Sequence, residues 1–400
     1  MLVSFVTRVA TILDEERAFT AGTARAKLEL IDAYAPRVEA IWRELEARAK
    51  PSYFLTWGWM ENWLACLPKS DAPQLAVVSR GGKTLAACFL GRRRLRRHAI
   101  ISSRALFVNN TGLDAFDELC LEHNQLLTDG AGALATLVNA LPPTWDELYV
   151  PAADATLFGA LVTSPPPGTR VKIDREVANY HVDLAKVRAS KDGYLPLLGS
   201  STRAQMRKAQ RQAGELTFEI AADEKQALDI YDEMVALHQR SWKARGQPGA
   251  FADPWFDRFH RRLIAGRFRF GELQLLRLHA KDMTLGCLYN FVAAGRVLFY
   301  QCGFGTPADK HVRPGYLCHA YAIEHCAKQG LAIYDLLGGD ARYKKSLATD
   351  ETRLVWGRVQ KKRLVFSLED RARDWIRQRR GKQIEAVKAE GGRADDEPSS

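Results

Sequence analysis

The run Ser164-Pro165-Pro166-Pro167-Gly168 constrains this chain more than any other segment, because three prolines in a row hold an extended, semi-rigid linker. Similar orders of elements are expected on either side of it. Before the linker, a helical pattern covers about Arg25–Ala49, with Leu28, Ile31, Val38, Ile41, Trp42 and Leu45 spaced by three, four or seven. An aromatic helix entry follows at Tyr53–Trp57, and its tryptophans, with Trp59 and Trp63, read as core. Strand-like runs Gln74–Ser79 and Thr84–Leu90 flank Gly81-Gly82, a hairpin signal. A strand at Ala105–Val108, a helix near Phe116–Leu127 and a strand at Trp145–Val150 complete the first half. After the linker, Leu273–Ala280, Leu285–Ala293 and Val297–Gly303 make three successive strands, followed by a helix from about Tyr316 to Lys328 and the strand Leu331–Leu337. Thr84-Leu85-Ala86-Ala87 and Thr284-Leu285-Gly286-Cys287 open corresponding strands and suggest an internal duplication. The expected architecture is α/β with mixed sheets: a lobe over residues 1–165, a second over 171–366, and a basic helix with a disordered tail over 367–400.

The 400 residues include 58 Lys plus Arg against 47 Asp plus Glu, a net charge of +11 that suits anionic partners. Arg8 interrupts the apolar N-terminal stretch, and no apolar run reaches the ~18–20 residues of a membrane helix. Seven cysteines with no Cys-x-x-Cys spacing favour reduced thiols in a cytoplasmic protein. Cys318, His319, His325 and Cys326 are too far apart along a helix to share one metal ion, so no metal is expected. Aromatics that fall in apolar periodic segments, and not among the arginines, argue against a DNA-binding protein.

Chemistry is expected in the second half. Tyr300–Phe304 ends a strand, and Lys310-His311-Val312-Arg313-Pro314-Gly315 leads into a helix; this is either an ordinary connection with surface basic residues or an anion site on the free N–H groups of Gly315, Tyr316 and Leu317, with Lys310, His311 and Arg313 close by. Asp335 and Asp340 flank Gly338-Gly339 at a strand's C-terminal end, with Tyr343 and Lys344 just beyond. His238 falls on the apolar stripe of a helix with Trp242, either as a core residue or as part of a site. Arg203, Arg207 and Arg211 share a helix face, with Thr202 and Gln205 at capping-box spacing. That face meets solvent, a phosphate or an acidic acceptor.

Taken in order, several segments resemble the CelD-like branch of the GNAT acetyltransferases, which is related to the Fem-type aminoacyl transferases. They are Ile41-Trp42 through Trp57-Gly58-Trp59, Ser201-Thr202-Arg203, Leu237-His238-Gln239-Arg240-Ser241-Trp242, Phe304, Pro314-Gly315, and Asp335–Asp340 with Tyr343-Lys344. The resemblance spans about residues 38–365. It implies tandem GNAT-like lobes, each a mostly antiparallel sheet flanked by helices, with acetyl-CoA or another acyl-CoA docking in the second. It further implies that Gly315, Tyr316 and Leu317 cradle the CoA pyrophosphate with Arg313. Tyr343 would protonate the leaving thiolate, and Asp335 or Asp340 would deprotonate an amine or hydroxyl acceptor. His238, Trp242 and Lys344 are the expected acceptor contacts. The family suggests an acceptor in polysaccharide or cell-envelope biosynthesis. The alternatives are a Fem-type enzyme drawing on charged tRNA and a non-catalytic glycan-binding accessory protein.

Overall fold

The computed structural model describes residues 25–372, apart from 98–100 and 282, together with Trp375. Most of the expected basic helix and tail, and the first 24 residues, lie outside the described residues. Among the described residues, thirteen strands join in one mixed sheet. In chain order they are β1 Lys27–Asp32, β2 Gln74–Arg80, β3 Lys83–Arg97, β4 Ile101–Val108, β5 Leu127–Thr128, β6 Glu147–Asp154, β7 Thr169–Asp183, β8 Leu216–Ile220, β9 Leu273–Ala280, β10 Met283–Ala293, β11 Arg296–Phe304, β12 Ile333–Gly338 and β13 Asp350–Lys361.

The two halves follow one plan. β1, two helices (Arg37–Ala49 and Trp57–Cys66), the meander β2-β3-β4, a helix (Ala133–Ala140), β6, a helix (Thr156–Thr163) and β7 make the first pass. β8, helices Glu224–Lys243 and Pro254–Arg267, β9-β10-β11, helix Pro314–Lys328, β12, helix Arg342–Leu347 and β13 make the second. Each half contains one parallel pair, β4 with β6 and β11 with β12. The final strands cross over: β7 pairs with β12 of the other half, and β13 pairs with β6. β7 and β13 also pair with each other along their length, from Asp350–His181 to Lys361–Thr169. The exchange welds both halves into one sheet.

Local sequence accounts for the elements. Gly81 and Gly82, with φ of 59° and 82°, supply the left-handed pair that a two-residue turn between β2 and β3 needs. Thr56 caps the Trp57–Cys66 helix by accepting from Trp59 N at 3.3 Å. Pro314 occupies the first turn of its helix, where no N–H is needed. Trp42, Trp59 and Trp63 are core residues, as expected. The core on this face is shared between halves: Tyr53 stacks on Phe291 at 4.7 Å, and Trp59 meets Phe259 at 4.9 Å. The opposite face has two separate cores, one under the Ala133–Ala140 helix and one under the Ser200–Ala213 and Pro314–Lys328 helices.

Three expectations are corrected. The first part of Arg25–Ala49 is strand, because Lys-Leu-Glu-Leu alternates and Lys27–Asp32 pairs with β2; the helix starts only at Arg37. Between Phe116 and Leu127 there is only the single turn Asp114–Asp117 and then loop. There the Asp117 carboxylate accepts from Thr111 N at 2.8 Å and Gly112 N at 2.7 Å, and Cys120 and His123 adopt left-handed backbone. Thr202 is not a cap, since the Ser200–Ala213 helix begins after Gly199.

Candidate active site

β11 and β12 hold register for only three residue pairs, Arg296–Leu298 against Ile333–Asp335, and then part. β11 runs on to Phe304 and β12 to Gly338, so the parallel pair opens into a fork at its C-terminal end. Asp335 sets the opening. Its Oδ1 accepts from Leu337 N at 2.8 Å, fixing Leu337 at a φ of 60° where the β12–β7 register is broken. A leucine in left-handed backbone costs roughly 1–2 kcal/mol, which the carboxylate contact offsets.

The same carboxylate anchors the two halves. Asp335 Oδ2 lies 3.0 Å from His123 Nε2 and 2.6 Å from Arg296 Nη1, and His123 Nδ1 lies 2.9 Å from Asp154 Oδ1. Burial opposes the charge on Asp335, yet His123, Arg296 and the Leu337 N–H hold it well below the usual carboxylate range. Burial likewise opposes a charged His123, but Asp335 and Asp154 raise it to about 10. Asp335, expected as a general base, is thus held by His123 and Arg296. A fully buried carboxylate tied to two cations is a poor proton acceptor. Asp340 lies exposed in the loop after β12.

A carboxylate that the sequence reading missed reaches the fork from the first half. Glu122 Oε2 accepts from Gly338 N at 2.6 Å, while its Oε1 has no hydrogen bond among the described residues. Burial raises the Glu122 pKa, against the Gly338 N–H and the nearby Lys344. Lys344 Nζ donates to Leu337 O at 3.2 Å and Gly338 O at 2.7 Å, and burial lowers its pKa. Only the adjacent Glu122-His123 pair, two titratable residues in a loop otherwise set down as helix, signalled this site.

Tyr343 opens the Arg342–Leu347 helix and stacks on His319, with ring centroids 6.1 Å apart. Burial raises its pKa, so the phenol stays protonated at neutral pH. Burial lowers that of His319 to about 3; this fully buried imidazole has Nδ1 at 3.1 Å from Tyr334 Oη, while its Nε2 lacks a partner among the described residues. Burial pushes the Cys302 thiol up to about 12, which leaves it protonated.

At the head of the Pro314–Lys328 helix, Leu317 is buried in the core and Tyr316 Oη meets Ser346 Oγ at 2.9 Å. Both bulky side chains are thereby occupied away from the first-turn amides. A Cβ on Gly315 would fall 3.3 Å from the Phe304 ring, so the backbone here is closely approached. Arg313 lies over the Tyr316 ring at 5.8 Å. His238 and Trp242 sit on the other face of the sheet, beside Phe251, with His238 Nδ1 at 3.1 Å from Gln239 Oε1. There the Glu224–Lys243 helix crosses β11 so closely that a Cβ on Gly303 would fall 2.2 Å from Met234 O. Burial lowers the His238 pKa, as for a packed, neutral imidazole.

Residues 200–345 match the family model described as an acetyltransferase (GNAT) domain. The second half carries a GNAT-type acetyltransferase domain. With that domain the chain is a transferase enzyme. Among solved structures it is similar to FemX, at 10% identity and a TM-score of 0.54, over 80% of this chain and 96% of that one. A conserved protein of unknown function from Bacteroides thetaiotaomicron aligns at 11% identity and a TM-score of 0.51, over 84% of this chain and all (100%) of that one. A tandem GNAT protein from the clavulanic acid biosynthesis pathway aligns at 14% identity and a TM-score of 0.45, over 84% of this chain and 98% of that one. At these identities the likeness to the first two concerns the fold. No curated protein matches the chain. Among the described residues, no helix is long and apolar enough to cross a membrane.

Proposed function

We propose that this enzyme moves an acyl group from acyl-CoA, in the first instance acetyl-CoA, to an amine or hydroxyl acceptor. The observation that carries the reading is the open β11–β12 fork leading into the glycine-headed Pro314–Lys328 helix within a GNAT-type domain. Gly315, Tyr316 and Leu317 offer first-turn N–H groups to the pyrophosphate, and Arg313 adds positive charge. The unpaired edge of β11 beyond Leu298 suits the extended arm that carries the thioester.

The acceptor attacks the thioester carbonyl, and the carbon–sulfur bond breaks. Glu122 Oε1 takes the acceptor's proton in place of Asp335 and Asp340, and Tyr343 gives its phenolic proton to the departing sulfur. The raised pKa of Glu122 strengthens it as a proton acceptor, and Tyr343 stays protonated at neutral pH, as a proton donor must. Lys344, beside Glu122, favours the ionised form of that carboxylate and donates to the fork's carbonyls. The lobe division near residues 165–171 is consistent with an acceptor that enters between the halves, where Glu122 crosses. An acceptor from polysaccharide or cell-envelope precursors, and action in the cytoplasm, are supported by the CelD-like resemblance.

Calorimetric titration with acetyl-CoA, CoA and longer acyl-CoAs tests the reading, and saturable binding is expected. A second reading, a Fem-type enzyme using aminoacyl-tRNA, is favoured by the fold shared with FemX and by the net charge of +11. Absence of binding to every acyl-CoA, together with salt-sensitive binding of tRNA, would replace the first reading by the second.

A further inference from the structure

The helix over residues 364–372, which follows β13, packs inside out. A surface helix normally buries its apolar stripe and turns its charges to water. Here the charges face the sheet. Glu369 is buried and accepts from Arg97 Nε at 3.1 Å, and Asp370 pairs with Arg170 at 2.7 Å and with Lys172. Phe366 is buried between them, with the Arg97 guanidinium 5.5 Å from its ring. Leu364 and Leu368, one turn apart, are left outward, 86% and 62% exposed. Trp375, also helical, is 53% exposed. Cations surround this stripe. At its head Lys361 Nζ donates to Pro143 O and Arg363 pairs with Asp146, each at 2.8 Å. The side chains of Lys362 and Arg371 are exposed and form no ion pair or hydrogen bond among the described residues. From 361 to 382 the sequence holds nine Lys or Arg against three Asp or Glu, and two of those three are the inward Glu369 and Asp370.

Exposed leucines and an indole among free cations match a surface that is apolar and anionic at once. We propose that this helix lies on an anionic lipid bilayer, with Leu364, Leu368 and Trp375 entering the boundary between headgroups and acyl chains and Lys362 and Arg371 meeting lipid phosphates. Tryptophan is favoured at that boundary, and each Lys or Arg held near an anionic leaflet adds attraction. A nucleic acid would leave the leucines in water, and a second copy would set one basic helix against another. The ion pairs to Arg97, Arg170 and Lys172 fix the helix on the sheet, so the stripe is presented by the folded protein. This surface does not depend on which donor the β11–β12 fork takes.

The test is co-sedimentation of the full chain with vesicles of equal parts phosphatidylglycerol and phosphatidylcholine, and with vesicles of phosphatidylcholine alone. The wild type should bind the anionic vesicles, and the neutral ones about tenfold or more weakly. Leu364→Gln/Leu368→Gln and Lys362→Gln/Arg371→Gln alter exposed positions, and an unchanged melting temperature verifies the fold of each variant. Each pair should weaken binding to the anionic vesicles about tenfold or more, which separates this helix from basic surface elsewhere. Failure of the wild type to bind the anionic vesicles overturns the proposal. So does binding that neither variant changes, and so does binding that only the lysine–arginine variant weakens, the mark of a purely polyanionic partner. Self-association that the leucine variant abolishes, in a chain that ignores both kinds of vesicle, would give the stripe to a second copy instead.

Discussion

Each half of the molecule contains a parallel strand pair that diverges after three register positions, and the two forks have been put to different use. In the first half the chain closes its own fork. Asn124 Nδ2 donates to Val108 O of β4 at 2.9 Å, and Asn124 N donates to Ala152 O of β6 at 3.1 Å, so one residue spans both prongs. Asn109 backs it, donating from Nδ2 to Asn124 Oδ1 at 2.9 Å and accepting from Phe89 N at 2.9 Å. In the second half Glu122 accepts from Gly338 N at the corresponding opening, and Lys344 donates only to Leu337 O and Gly338 O, both on the β12 prong. One architecture thus supplies a plugged copy and an open copy, and the proposed function places the chemistry in the open one. The loop that plugs the first fork also sends Glu122 into the second.

The sharpest test of this division is Glu122→Gln, which keeps the shape and removes the proton acceptor. Turnover in an acyl-transfer assay over a panel of amines should fall about 10²–10⁴-fold, the usual worth of general acid–base catalysis, with acetyl-CoA affinity nearly intact. Tyr343→Phe should act in the same direction. Full activity in Glu122→Gln would return the base to another group and leave the first half with a scaffold role alone.

Next in size is the anchor between the forks. Asp335→Ala leaves the buried His123 and the half-buried Arg296 without their shared carboxylate, and should cost about 3–5 kcal/mol in urea unfolding. The pH dependence follows from the directions of the shifts. His123 is raised to about 10, so its contribution is complete below the unfolded value near 6.5 and is lost as pH rises toward 10. Asp335 is depressed, so its contribution is present above the unfolded carboxylate value and is lost only in strong acid. Unfolding free energies measured from pH 6 to 10 should decline, and His123→Gln should flatten that decline. A variant with the wild-type slope would remove His123 from the account.

Asn109→Ala should loosen the plugged fork. It leaves Asn124 Oδ1 and Phe89 N without their partners in the core, at about 1–3 kcal/mol of stability. Acyl-CoA affinity should not move. A gain of acyl-CoA binding would mean that the first fork is a masked site.

The repeat, its hairpins and the second fork's helix entry were legible because they depend on local signals: alternation, Gly81-Gly82, and Pro314 ahead of Gly315. Tyr343 and Lys344 were within reach because they follow a strand end directly. Glu122 and His123 were not. Their partners lie 216 and 212 residues away, at Gly338 and Asp335, and their loop has no period to separate it from a helix. Asp335 read as a base because its position at a strand end is visible in the sequence, while the two cations that pin it are brought in by β11 and by the other half. β1 read as helix because Leu28 and Ile31 fit a three-residue spacing as well as Leu28 and Leu30 fit an alternation, and only pairing with β2 decides. The exchange of β7 and β13 leaves no local trace, since either strand has the same alternation in either half.

The mildest expected effect concerns the entrance to the open fork. Gly315→Ala would bring a methyl group 3.3 Å from the Phe304 ring, a contact that a small ring movement relieves. Gly315→Val adds two further methyl groups beside the first-turn amides and should weaken acetyl-CoA about tenfold, roughly 1.4 kcal/mol, in the same calorimetric titration. The alanine variant should lie between valine and wild type. The first half offers the matching control: its corresponding helix begins after Gly132, held at a φ of 73°, with no proline ahead of it. Gly132→Ala should lower stability through strained backbone without changing acetyl-CoA affinity. Equal loss of affinity from both glycines would erase the distinction between the forks, whereas loss at Gly315 alone would locate the donor's phosphates at the head of the Pro314–Lys328 helix.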